Sequence, residues 1–565
     1  MSNSTAAHTE VALRPAHHVM RLERMGSFHQ SRLSFMRVLL RRIKQQKWQF
    51  SRPIFRIDDN GVGVATYSVA GPERTYTLIA FAHDLPADKR SDRVIAEAWD
   101  STFTLFDGIP TEDDITRLAY NVPLQEAGRI SESELSLSRA NRSVRLFEYV
   151  VDTLSKGMQP DTENLEDVGY LMRTTAVYGS SKFGAADRAV WADRPEFAGS
   201  FRPELLAVWL IRTFTIDMVE HLARARGGEN AIAIDPDIKR CIGVGNSTGL
   251  GMAPFLLNHP RLIHTWVHAR EKALAIVRGV NQVQPHQAAE FSRLLASAQR
   301  NARYWCTAHP LQIERLAQLR VDLDKFSEHL QANPLKGTQP WNTLYLWVET
   351  NLGLEAQEQI ISLMVEPYGE LVDHLADTMQ TDESLPYAIN GTMTVAELLV
   401  AVEKNYQWAI NTDFSQDDTI ARVWYVSAEK LEPRLGERFD EPIEPYEQPL
   451  APGREVADMY QVLQTLPADT TVAAMLCNHD EFRGAVRRVQ MLQTFPYAEV
   501  RDNTISSKML PIDLLRCKLS FFGATRFDPR SDRWVRITMY KGAPYPDELE
   551  KFDPDVLAYF IDDAA

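Results

Sequence analysis

Apolar residues recur with two different periods along this chain, and the places where the period changes limit the folds open to it. Between residues 53 and 107 the apolar runs are short and punctuated. Ile54–Ile57 leads into Asp58-Asp59-Asn60-Gly61, a turn signal. Val62–Ala70 follows, then the break Gly71-Pro72, then Arg74–Ala82, and Val94–Phe106 ends at Asp107-Gly108. This spells an antiparallel meander of three or four strands, although Val94–Trp99 fits both the helical and the strand period.

From Thr111-Glu112-Asp113-Asp114, with its acids in a first turn, the steps become three and four residues long. Helical patterns cover 136–157, 163–176, 203–226, 260–280, 286–303, 310–331 and 353–380. Beyond 420 the character mixes again. Arg422–Val426 reads as a strand, and 432–453 as a proline-rich acidic crossing loop. Short helices follow at 455–465 and 480–494, and Leu519–Thr525 with Trp534–Tyr540 reads as a hairpin.

The predicted fold is therefore α+β and predominantly α-helical, with a large central helical region and antiparallel β segments near the N- and C-terminal ends. Residues 1–50 form a disordered start and a basic amphipathic helix, 51–110 the meander, 111–420 the helical core region, and 421–565 an α+β C-terminal region. The pattern leaves open whether the two strand-rich ends share one sheet. A chain of 565 residues exceeds what one hydrophobic core of ~250–300 residues organises, so more than one structural unit is expected.

Charge is unevenly spread. Arg14 to Arg56 holds eleven Lys or Arg against one acid, Glu23, so this arm carries +10 in a chain of net charge −15. The remaining −25 argues against a broad nucleic-acid surface. Leu33, Met36, Leu39, Leu40 and Ile43 make a narrow apolar stripe on a helix over 28–48. Such a helix docks on protein, here on the acidic body of its own or a neighbouring subunit, more readily than on a membrane. No run approaches the ~20 apolar residues of a membrane helix, and the N-terminus has no signal-peptide core. The expectation is a cytoplasmic, homo-oligomeric protein without nucleic-acid or membrane partners. Its cysteines, Cys241, Cys306, Cys477 and Cys517, form no CxxC pair and read as reduced, mostly buried thiols.

Two segments carry the chemistry. In Cys241–Pro254, glycines at 243, 245, 249 and 251 flank Asn246, Ser247 and Thr248 ahead of an expected helix. Free amides at a helix start and small hydroxyls suit a phosphate or carboxylate. The segment is not a Walker loop, and its G-x-G-x-x-x-G order is one residue longer than the dinucleotide fingerprint. A flavin or nicotinamide nucleotide stays open, and the sequence assigns no cofactor. In Arg173–Arg188, read as a polar loop between two helices, Tyr178 and Lys182 are candidate proton carriers, with Arg173 and Ser181 beside them. The expected site thus has Tyr178 and Lys182 as catalytic groups. Arg173, Ser181, Asn246, Ser247, Thr248 and Gly249 bind the substrate.

Other candidates weigh less. His264, His268 and Glu271 share a helix face, but without the spacing of a zinc-protease helix the metal reading is set aside. His83-Asp84 and Asn478-His479-Asp480 could hold an acid–base histidine or simply end elements. Arg501–Lys508 and Arg526–Arg533 read as turns. The resulting expectation is an enzyme that acts on a small anionic molecule in a pocket between helices. The alternative is a non-catalytic binding or assembly protein that uses the basic N-terminal helix.

Overall fold

The computed structural model describes residues 9–86, 98–124, 131–178, 194–197, 202–246, 259–305, 310–379, 387–415, 423–426, 431–433, 447–449, 452–501, 516–528, 536–553 and 555. Among them one sheet dominates. Its strands are β1 (Gln49–Ile57), β2 (Gly63–Ala70), β3 (Thr75–Ala82), β4 (Ser101–Asp107), β5 (Glu134–Arg142), β6 (Tyr170–Tyr178), β7 (Gly243–Asn246), β11 (Ala524–Asp528) and β12 (Arg536–Met539). They lie in the order β1-β2-β3-β4-β5-β6-β7-β12-β11. A separate three-stranded sheet holds β8 (Val423–Val426), β9 (Leu431–Pro433) and β10 (Glu447–Pro449).

This corrects the predicted fold class. Strands are not confined to the ends: β5, β6 and β7 lie inside the stretch expected to be helical, and the C-terminal hairpin joins β7. The chain is mixed α+β, with helices dominating its C-terminal part. The causes are local. In β5, Leu135 and Leu137 alternate with Ser136 and Ser138, a two-residue period. The helix Thr162–Val168 stops at Gly169, which adopts φ +77° and caps it, so the chain turns into β6 instead of continuing helical to 176.

Numbering helices of five or more residues, α1 is Phe35–Gln45, α2 Glu112–Leu124, α3 Phe147–Ser155, α4 Thr162–Val168, α5 Arg202–Gly227, α6 Pro236–Arg240 and α7 Pro260–Arg278. Then come α8 (Pro285–Tyr304), α9 (Pro310–Ala332), α10 (Pro340–Asn351) and α11 (Leu354–Val365). Last are α12 (Val395–Asn405), α13 (Pro452–Leu463), α14 (Val472–Asn478) and α15 (Arg483–Thr494).

The meander β1–β6 is antiparallel throughout, whereas β6 and β7 pair in parallel. A parallel neighbour requires a crossover, and α5 with α6 supplies it. Helix α5 is buried on nearly every side, from Leu205 to Ala223. It lies against the sheet face that carries Tyr67, Leu78, Ala80, Phe103 and Leu105, and this is the main core. The opposite face carries Ile79, Phe81 and Phe106, which pack under Ile115, Leu118 and Val122 of α2. A third apolar cluster is built by α12–α15.

The basic arm docks on its own chain. The apolar stripe of α1 is buried, and Arg37 grips Glu366 at 2.6 and 2.7 Å. Arg32 grips Asp373 at 2.7 and 2.8 Å, and Arg41 reaches Asp555 at 2.7 Å. Farther back, Arg14 forks onto Glu271 at 2.8 and 2.9 Å and meets Glu358 at 2.8 Å. No helix among the described residues is long and apolar enough to cross a membrane.

Candidate functional site

The sheet face under α2 changes character as it crosses toward β6. Across β2 and β3 it mixes Val64, Ile79 and Phe81 with Thr66, Ser68 and Thr77; across β5 and β6 it gains arginines although it stays largely covered. Directly opposed residues on neighbouring strands share a face, so the register defines three rows. One row pairs Asn141 with Arg173 and Arg173 with Gly245. The next pairs Thr102 with Arg139 and Arg139 with Ala176. The third pairs Ile79 with Thr104, Thr104 with Leu137 and Leu137 with Tyr178.

Arg173, Arg139, Thr102, Thr104 and Tyr178 therefore occupy positions on one face. Arg173 is 2% exposed, Thr102 and Thr104 are fully buried, and Arg139 is half-buried beneath Trp99, its guanidinium 5.5 Å from the ring centre. The Thr104 hydroxyl is buried without a hydrogen-bond partner. Arg139 lies on β5 opposite Ala176, three residues along β6 from Arg173.

The first row extends past β5. The Asp100 amide donates to Asn141 Oδ1 at 2.8 Å, and the His83 amide donates to the Asp100 carbonyl at 2.9 Å. The His83 ring bonds Thr102 Oγ1 through Nε2 at 2.9 Å. Burial pushes its pKa below the usual histidine range, and the nearby Asp100 carboxylate only partly opposes this. Asp100 is fully buried, accepts from the Arg142 amide at 2.9 Å and has the Arg142 guanidinium 3.7 Å away. Its charge is thereby met within the protein. The face offers two arginines, two threonine hydroxyls and a neutral imidazole, a set that suits an anion with further polar groups.

Of the residues expected from sequence, Arg173 lies in the middle of a strand, not in an interhelical loop. Tyr178 is the last residue of β6, at a register position on the same face. Asn246 ends β7 opposite Thr174 and Ile537, which places it on the other face. Its neighbour Gly245 nevertheless pairs directly with Arg173. Tyr178 lies four residues beyond Thr174, about 13 Å along the strand. Ser181, Lys182, Ser247, Thr248 and Gly249 lie outside the described residues. Two glycines of the distinctive segment have a packing reason. A side chain at Gly243 would meet the Met539 carbonyl at 2.5 Å, and one at Gly245 the Tyr170 ring at 2.8 Å.

The histidines on α7 hold different company from that of a metal site. Glu271 is bound by Arg14 and Arg270, and His264 and His268 stack at 5.5 Å. Among the described residues no group of three His, Cys, Asp or Glu could hold a metal ion. Sequence reasoning missed Arg139, Thr102 and Thr104. Their one signal was threonine alternating with Phe103 and Leu105 in a strand whose two faces are both covered. Comparison with protein-family models, with curated proteins and with solved structures finds no match to this chain.

Proposed function

We propose that this protein is an enzyme that acts on a small anionic molecule, a carboxylate or phosphate, held against the polar face of β4–β6. The observation that carries the reading is the placement of Arg139 and Arg173 on one covered face, among threonine hydroxyls and beside His83. Fixed guanidinium forks among hydroxyls recognise oxyanions well, and partial burial strengthens each contact. In this reading Tyr178 and Lys182 move the proton. Ser181, Ser247, Thr248 and Gly249 add hydrogen bonds from the segments that leave β6 and β7.

A cytoplasmic location and a homo-oligomeric state complete the proposal, with self-association on a surface other than the basic arm. Arg14, Arg32, Arg37 and Arg41 meet carboxylates of the same chain, which favours the enzyme reading over assembly through the basic helix. The test is thermal stabilisation by inorganic phosphate, pyrophosphate and citrate, with chloride at equal ionic strength as control. At least one should raise the melting temperature of the wild type, and Arg173→Gln and Arg139→Gln should each abolish the rise. Equal stabilisation of all three proteins overturns the site.

A further inference from the structure

The helices α12–α15 close around their own apolar cluster, which includes Val395, Val402, Met459, Val486 and Val489. Among the described residues, helices of this unit pack chiefly on one another, and none packs extensively on a helix of the body. The chain passes from one core to the other over a few residues: Tyr497 and Val500 belong to the main core, while Ala498 belongs to the smaller one. Tyr497 is 4% exposed and is tied to the body at both ends. Its amide donates to His264 Nδ1 at 3.2 Å, and its hydroxyl donates to the Arg14 carbonyl at 2.8 Å.

The first of these bonds fixes the state of the imidazole. An amide N–H can donate to Nδ1 only when that nitrogen carries no proton, so the ring is neutral with its hydrogen on Nε2. His264 is also enclosed by rings. It stacks on Tyr497 at 5.7 Å and on His268 at 5.5 Å, and meets Phe495 edge-on at 5.3 Å. A proton added to Nδ1 would face the amide hydrogen of Tyr497 and place charge beside a second imidazole.

We infer that the unit built by α12–α15 is held to the body by an acid-labile contact, in which protonation of His264 expels the Tyr497 amide and frees the unit at its seam. The charges around this ring do not rescue it. His268 and Lys272 share its helix, and Arg14 lies beneath Tyr497 with its charge met by Glu271 and Glu358. Asp373, His374 and Asp377 sit on the turn that packs on α7, and Glu499 beyond Tyr497 is engaged by Arg488 and Tyr406. Burial, helped by His268, lowers His264 from the ordinary 6.5 to about 4 in the docked form. A group that binds its proton more weakly when docked favours release as pH falls through the window between those values. The linkage raises the released fraction about 20-fold between pH 7 and pH 5.

Hydrogen exchange on the full chain tests this, with rates corrected for the intrinsic pH dependence. Wild type at pH 5 should lose about 20-fold protection across 495–498 relative to pH 7, with α5 unchanged. His264→Asn keeps an acceptor near the Nδ1 position and does not titrate, so its seam should stay protected at both values. A wild-type seam that is flat with pH overturns the inference, as does an equal loss in both proteins. If the variant is already open at pH 7, histidine-labelled NMR of the wild type decides. Titration of His264 well below 6, together with the loss of protection, supports the contact; titration near 6.5 overturns it.

Discussion

Replacing Glu271 by Gln should weaken the protein and flatten its response to acid. Glu271 is 1% exposed and receives both arms of Arg14, at 2.8 and 2.9 Å, and Arg270 at 2.8 Å. Burial alone would push its carboxyl up, but attraction to Arg14 and Arg270 wins and holds it at about 2, against an ordinary 4.5. A carboxyl lowered that far contributes about 3 kcal/mol at neutral pH. Removing one partner of a buried pair costs about 3–5 kcal/mol, so the two routes agree. The sign follows from the lowered value. The contribution is complete above pH 4.5 and fades as pH falls toward 2, with about 2 kcal/mol gone at pH 3. Urea unfolding followed by tryptophan fluorescence at pH 7, 5 and 3 measures it. Glu271→Gln should lie about 3–5 kcal/mol below wild type at pH 7, and the gap should narrow by about 2 kcal/mol at pH 3. A gap under about 1 kcal/mol at pH 7, or one that does not narrow with acid, refutes the reasoning.

Arg212 is fully buried and donates to the carbonyls of Ile242, Arg240 and Ala543 at 2.6–2.7 Å, so Arg212→Met should cost about 3–5 kcal/mol and loosen residues 536–543 in hydrogen exchange. Unchanged urea midpoints would contradict that clamp. Gly245→Ala drives a methyl into the Tyr170 ring and should cost about 1–3 kcal/mol in a thermal melt, whereas a neutral result would show that the ring yields. Deleting residues 1–50 strips Glu366 and Asp373 of their arginines, leaves Glu271 with Arg270 alone and should lower the melting temperature sharply, with an unchanged melt as the contrary outcome.

Much of the fold was legible where one face of an element is wet or one period persists. β2 and β3 fall where the alternation and the turns Asp58–Gly61 and Gly71-Pro72 put them, and α5, α7, α8 and α9 lie within a few residues of their apolar periods. The reading failed where elements are covered on both sides. β6, Tyr-Leu-Met-Arg-Thr-Thr-Ala-Val-Tyr, groups its polar residues together instead of alternating them with apolar ones, and β7 is half glycine, so both passed for helix or loop. The site shows the same divide. Arg173 and Tyr178 stood out as residues, but their shared face with Arg139 comes from pairing between β5 and β6, which lie more than twenty residues apart. Local sequence does not encode that register.

The central claim is that Arg139 and Arg173 hold an oxyanion on the face of β4–β6, and selenate, an anion visible by anomalous scattering, tests it most directly. In crystals soaked with selenate the account predicts an anomalous peak within about 4 Å of guanidinium nitrogens of both arginines, lost in crystals of Arg173→Gln. Selenate bound elsewhere on the protein with none between these two side chains would contradict it.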